Sequence, residues 1–149
     1  VKRTRLENSC CPIARSLDVI GDWWSLLIVR DALRGTRRFS EFQKNLGIAK
    51  NMLAGRLKML VEEEILTLQP ASDGSAWQEY VLTEKGRGLQ TVLVALGQWA
   101  DEYLFTADEP ATVLIDTLSR QPLRKLVLQA ADGRALRPDE ITARLPTTD

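Results

Sequence analysis

Gly47 separates two short amphipathic segments, RFSEFQKNLG and IAKNMLAGRLKMLVEEEIL, and no other feature constrains the fold as strongly. In the first segment Ser40 is placed to cap a short helix, with Phe39 before it and Phe42 and Leu46 inside it. Glycine readily adopts the left-handed conformation that ends a helix, so Gly47 is the expected stop. In the second segment Leu53, Leu57, Leu60 and Val61 share one side at about 3.6 residues per turn. Asn51, Gly55, Lys58 and Glu62 lie roughly opposite, with Met52 and Arg56 on the flanks. Two short helices joined by a glycine-containing turn, the second with a polar face, form a helix-turn-helix.

The flanking sequence completes the pattern. ILTLQPASDGSAWQEYVLT predicts a β-hairpin with strands at 65–69 and 77–82, and SDGS supplies the Asp-Gly pair that a positive φ requires. A hairpin directly after a helix-turn-helix is a wing. Upstream, Pro12 suits the first position of a helix that runs to Gly21, with Ile13, Leu17 and Ile20 on one face. DWWSLLIVRDALR predicts a second helix with Asp22 as N-cap and Gly35 past its end. Apolar residues nearly surround it, so it is expected at the centre of the core, with Trp23 and Trp24 as core residues. Thr83 is placed to cap a long helix over 84–104. Leu89, Val92, Leu93, Leu96, Ala100 and Tyr103 fall on it at helical spacing, and Trp99 and Leu104 widen the stripe. That stripe fits a dimer seam or packing on its own domain, and Trp99 either joins the core or lines an effector pocket at the seam. ATVLIDTL and LRKLVLQAA read as strands, and SRQP and ADGR as turns. The expected fold is mostly α with a β-hairpin wing (α+β), a winged helix-turn-helix over 1–105. A small C-terminal antiparallel β-meander follows over 106–149, frayed from Pro146 onward.

Composition removes several functions. The chain has no histidine, which excludes Ser-His-Asp and Cys-His catalysis, and a zinc site would need two cysteines plus carboxylates. No glycine-rich phosphate loop or dinucleotide fingerprint occurs. No enzyme activity, metal or cofactor is therefore expected. Cys10 and Cys11 are adjacent, and neighbouring Cα atoms lie closer than a disulfide favours, so no structural disulfide is expected. No apolar run approaches the ~20 residues of a membrane span, and the basic start VKRTRLENSC has no apolar signal core behind it. The expected location is the cytoplasm. Formal net charge is zero, yet residues 30–58 hold Arg30, Arg34, Arg37, Arg38, Lys44, Lys50, Arg56 and Lys58 against only Asp31 and Glu41. Phosphate binding needs such a local basic zone, although on charge alone a solvated face is the favoured reading.

Taken in order over residues 10–104, several short motifs resemble the HxlR-type winged helix-turn-helix repressors of bacteria. They are Cys11-Pro12, Gly21 and Trp23, RFSEF, Gly47-Ile48, the leucine spacing after it, and EYVLTEKG. The resemblance implies a homodimeric cytoplasmic regulator, a repressor on a palindromic double-stranded DNA operator. Several members of that family sense electrophiles or oxidants through the cysteine before the proline. Three departures stand out. Ala49 replaces the usual Ser or Thr before the recognition helix, Glu64 stands where the family usually has Gly, and the tail is longer.

On this reading the recognition helix enters the major groove N-terminus first. Asn51 is suited to an adenine edge, Met52 to a thymine methyl, and Gly55 to close approach of the groove wall. Lys50, Arg56 and Lys58 are assigned to phosphates, and Arg37 and Arg38 are placed for the backbone too. Ser72, Ser75 and Gln78 of the wing reach a phosphate or the minor groove. Cys11 precedes a helix N-terminus, where partial positive charge favours thiolate. Cys10 shares that role or resolves an oxidised intermediate. The alternative for both is a small apolar residue filling space beneath the long helix. Two further alternatives stand beside the DNA-reading repressor: a winged-helix module for protein contacts, and a regulator controlled by a small non-covalent ligand.

Overall fold

The structure, a computed structural model, describes residues 4–147. It divides into two compact units, Val1–Leu93 and Val94–Asp149.

In the first unit, α1 (Pro12–Ile20) begins at the expected proline. α2 (Trp23–Leu33) is capped by Asp22, whose carboxylate accepts from Ser25 N at 2.9 Å and Ser25 Oγ at 2.6 Å. That pairing lets Ser25 sit fully buried beside Ile28 and Val29. Trp23 departs from expectation. It is 74% exposed, because the first residue of α2 leaves the core at the turn after Gly21. Trp24 is half-buried against the core and meets Trp23 edge to face.

α3 (Phe39–Leu46) starts one residue before the predicted cap, so Ser40 lies inside the helix. The cap comes from the other end of the first turn, where the Glu41 carboxylate accepts from the backbone N–H groups of Arg37 and Arg38 at 3.4 and 3.5 Å. Gly47 closes α3 in the left-handed conformation, φ 62°. α4 (Lys50–Glu62) buries Leu53, Leu57 and Leu60 completely against Ile28, Val29 and Phe42. Each fully buried side chain of this kind contributes about 1.5–3 kcal/mol.

The hairpin pairs β1 (Leu66–Pro70) with β2 (Gln78–Leu82), from Leu66 opposite Leu82 to Pro70 opposite Gln78. Gly74 in the loop has φ 76°. Tyr80 N donates to Arg37 O at 2.8 Å, which ties β2 to the segment before α3. The predicted helix over 84–104 is instead two elements, α5 (Glu84–Arg87) and α6 (Gln90–Tyr103). Thr83 caps α5 through Gly86 N, as expected. A Cβ at Gly86 would lie 2.2 Å from Ile65 O, so only glycine lets α5 press on the hairpin. The chain then tightens through Gly88 and Leu89, where Leu89 N bonds to Gly86 O, before α6 begins.

The second unit holds the rest of α6 and the C-terminal extension. The expected turns are present, but the expected strands are reduced to isolated antiparallel bridges, Ile115 with Pro122 and Gln129 with Ala135. A short 3-10 turn follows at Pro138–Glu140. Part of the end predicted to fray lies outside the described residues.

Glu64, between α4 and β1, holds φ 59°. A side chain in that conformation costs about 1–2 kcal/mol, which explains why the family pattern has glycine there. Glu64→Gly is expected to raise stability by about 1 kcal/mol in urea unfolding, with the slope unchanged.

Candidate nucleic-acid interface

Burial of Leu53, Leu57 and Leu60 turns Lys50, Asn51, Met52, Gly55 and Lys58 of α4 to solvent. A Cβ at Gly55 would meet nothing within 4 Å. Packing within the protomer therefore does not require glycine, although glycine in mid-helix costs about 1 kcal/mol against alanine. The missing side chain is of use only to something that approaches from outside. At the start of α4, Ala49 provides no side-chain cap. The first-turn N–H groups stay open to an external acceptor, and a helix N-terminus suits a phosphate oxygen.

The basic zone divides into two sets. Arg30 Nη2 pairs with buried Asp31 at 2.9 Å, Arg37 Nη1 with Glu79 at 3.4 Å, and Arg38 Nη2 with Asp73 at 2.5 Å. Arg56 Nε lies 3.4 Å from the Asp22 carboxylate without hydrogen-bond geometry, so the contact is electrostatic. Arg56 thus faces the cap of α2. Among the described residues Arg34, Lys44, Lys50 and Lys58 make no ion pair, which leaves lysines as the open cations of α3 and α4.

The wing is held by carboxylates that sequence reasoning missed. Glu79 is buried and accepts from Ser72 N and Ser72 Oγ at 3.4 and 3.3 Å, opposite Arg37. Asp73 accepts from Ser75 N at 2.9 Å and from Arg38. The Ser75 backbone N–H first, then the Ser75 hydroxyl and Arg38, hold the Asp73 carboxyl down at about 2. Ser72 therefore braces the wing. Gln78 is exposed at the start of β2, and the neighbouring Trp77, also missed, is 69% exposed. Two arginines before α3 facing two acidic residues in the hairpin were the available signal.

Cys10 and Cys11 are exposed free thiols, so neither fills a buried site. Cys11 is the N-cap of α1, and its N–H donates to Ser9 Oγ at 3.1 Å. Ile13 and Leu17 of α1 are exposed. The predicted seam also divides. Leu89 and Leu93 pack on the core of the first unit, Ala100 is half-buried, and Val92, Leu96, Trp99 and Tyr103 are exposed. A polar cleft of about 830 Å³ opens between α1 and α4, lined by Arg15, Asp18, Arg56, Glu62 and Lys85 among others.

Residues 19–108 match the HxlR-like helix-turn-helix family. The chain belongs to this family. An HTH-type transcriptional regulator of Mycobacterium bovis is 44% identical over 98 residues, 66% of this chain and 62% of that relative's length. YodB of Bacillus subtilis, also an HTH-type transcriptional regulator, is 35% identical over 69% of this chain and 94% of its own. The crystal structure of PA1607, a transcription-factor candidate, superposes with a TM-score of 0.89 at 49% identity. It covers 93% of this chain and 97% of PA1607. The redox regulator HypR in its reduced form superposes at 0.56 with 29% identity over 62% of this chain and 92% of its own. YodB has also been solved with quinone bound. The family is one of winged-helix DNA-binding transcription regulators and not of enzymes. Among the described residues no helix is long and apolar enough to cross a membrane.

Two outcomes are expected. Arg56→Ala, which removes the counter-charge beside Asp22, lowers unfolding stability by about 1 kcal/mol and leaves the salt dependence of DNA binding unchanged. Asp73→Ala frees Arg38 and removes a carboxylate from the wing, so affinity for arbitrary DNA rises and the salt slope steepens by about one phosphate contact per subunit. Because the Asp73 value is depressed, the clasp persists below the ordinary carboxylate range and is lost only as pH falls to about 2. A carboxyl NMR titration of Asp73 checks this.

Proposed function

We propose that two copies of this chain form a homodimer that binds a palindromic DNA operator in the cytoplasm and represses transcription. The carrying observation is the outer face of α4, where Asn51, Gly55 and Lys58 lie exposed and Gly55 has no packing role in the protomer. α4 enters the major groove N-terminus first, Asn51 bonds an adenine edge, and Met52 meets a thymine methyl. Lys50, Lys58 and the open amides of the first turn take phosphates, which set register without reading sequence. Two such helices about one DNA turn apart, roughly 34 Å, read two half-sites.

Binding to DNA upstream of the protein's own gene, followed by fluorescence anisotropy against salt, tests this. Lys58→Ala is expected to weaken binding to all sequences alike and to lower the salt slope by about one contact per subunit. Asn51→Ala is expected to relax preference at one base pair per half-site, by about 1–3 kcal/mol. Uniform loss across mutated operators for the Asn51 variant would overturn the base-reading assignment.

Exposure of Cys11 at the N-cap of α1 supports a second reading, control by electrophiles or oxidants. An adduct on Cys11 adds bulk beside the exposed side chains of α1, and a differential fit of two protein states to DNA then changes affinity. Titration of wild type, Cys11→Ser and Cys10→Ser with diamide or a quinone, while following operator binding, is expected to release wild type and Cys10→Ser but not Cys11→Ser. Wild type that keeps its DNA while its thiols are modified would leave the polar cleft beside α1 as the seat of a non-covalent effector.

A further inference from the structure

We propose that the C-terminal extension, residues 106–147, is an arm that packs on a second copy of this chain, with the exposed side of α6 forming part of the contact. The proposal rests on the homodimer reading above and names a surface that builds it.

The first observation is an imbalance. Among the described residues of the second unit, Val94 is the only buried hydrophobic. Val113, Leu114, Leu118, Leu126, Val127 and Leu128 are all exposed, and Leu118 is 91% exposed. Each ordered residue costs conformational entropy, and monomers rarely leave so much apolar surface in water. Yet the arm is fixed in place. Gln98 donates to Arg124 O at 3.1 Å and accepts from Leu126 N at 2.7 Å, and Lys125 pairs with Glu102 at 2.9 Å. The Asp116 carboxylate accepts from Leu118 N, Ser119 N and Ser119 Oγ. These polar contacts orient the apolar side chains without covering them. Leu118 stands at the tip of the stiffened turn.

The second observation is Gly97. It lies in the middle of α6, and a Cβ there would meet nothing within 4 Å. It lines a small pocket of about 180 Å³ with Val94, Asp101, Leu114 and Leu123. Nothing in the unit requires glycine at this place, and a helix is weaker for having it. Close approach by another chain explains both the residue and the pocket.

Area and charge choose the occupant. The six exposed side chains of the arm with Leu96, Trp99 and Tyr103 of α6, at on the order of 90 Å² each, supply the roughly 800 Å² that one partner contributes to a stable interface. The face carries both signs, with Asp101 and Glu102 on α6 and Arg120, Arg124 and Lys125 on the arm. A nucleic acid or an anionic surface would want one sign, whereas a two-fold contact needs a patch that complements itself. Leu96, Trp99 and Tyr103 continue the apolar surface along α6 toward the arm. PA1607 matches over 97% of its length, so the extension is a shared structural part.

Sedimentation velocity on the full chain, with far-UV circular dichroism in parallel, tests the arm. Wild type is expected to be a dimer at micromolar concentration. Leu118→Glu and Val127→Glu are expected to weaken it by about thirtyfold or more with unchanged dichroism, since both side chains are exposed in the protomer. Gly97→Ala is expected to weaken the dimer as well, although alanine favours the isolated helix. A wild-type dimer whose dissociation is indifferent to all three substitutions would overturn the arm and leave the dimer standing. Weaker dimers that also lose helical signal would make the arm part of the protomer's own fold and overturn the proposal. A monomeric wild type would overturn the arm and the dimer together.

Discussion

Burial of Leu53, Leu57 and Leu60 sets the rotation of α4 about its own axis, and the presentation of every outward side chain on that helix depends on it. The three leucines insert between Ile28 and Val29 of α2 and Phe42 of α3, all fully buried. One buried ridge thereby fixes where Asn51, Gly55 and Lys58 point. Close packing allows little rotation, because turning α4 would expose one leucine and bury a lysine. The precision of the outer face of α4, proposed to meet DNA, is thus a property of the core on the other side of the helix. The Arg56–Asp22 contact adds a lateral stop, joining α4 to the cap of α2.

The wing is fixed by different physics. Its loop has little apolar material, and its position comes from charge. Buried Glu79 gathers Ser72 and Arg37, while Asp73 gathers Ser75 and Arg38. Two arginines that look like phosphate ligands in sequence are engaged with carboxylates in the protomer. Among the described residues the open positive charge of α3 and α4 is therefore that of Lys44, Lys50 and Lys58, less than a count of basic residues implies.

What was legible in the sequence was local. Asp22 and Gly47 act as caps, Gly74 takes positive φ, and the leucine period of α4 survives intact, because each depends on neighbours within one or two turns. The differences from expectation have both local and distant origins. The cap of α3 came from Glu41 and not Ser40. Trp23 sits outside the core despite its neighbours. The helix is interrupted at Gly88 and Leu89, where Leu89 N bonds to Gly86 O, a local tightening that helical periodicity cannot register. The extension has the composition of strands, yet its turns close on single bridges, because the contacts that hold it run to Gln98 and Glu102 of α6. On the outer face of α4 the exposure of Lys50, Asn51, Met52, Gly55 and Lys58 followed from the leucine period. Which arginines were already paired was not legible: Arg30 pairs with its own neighbour Asp31, but the partners of Arg37, Arg38 and Arg56 lie far away in sequence.

Two helices carry a glycine in mid-course, Gly55 and Gly97, beside which the protomer places nothing. Each lowers the intrinsic stability of its own helix, and neither loss is recovered inside one chain. The isolated protomer is therefore less stable than the same backbone with alanine at both sites. In the proposed dimer on its operator, the groove wall and the second copy that occupy those spaces return the difference as binding free energy, so folding and association become thermodynamically linked. The melting temperature of such a chain is then a function of its concentration and of the DNA present, rather than a constant of the fold.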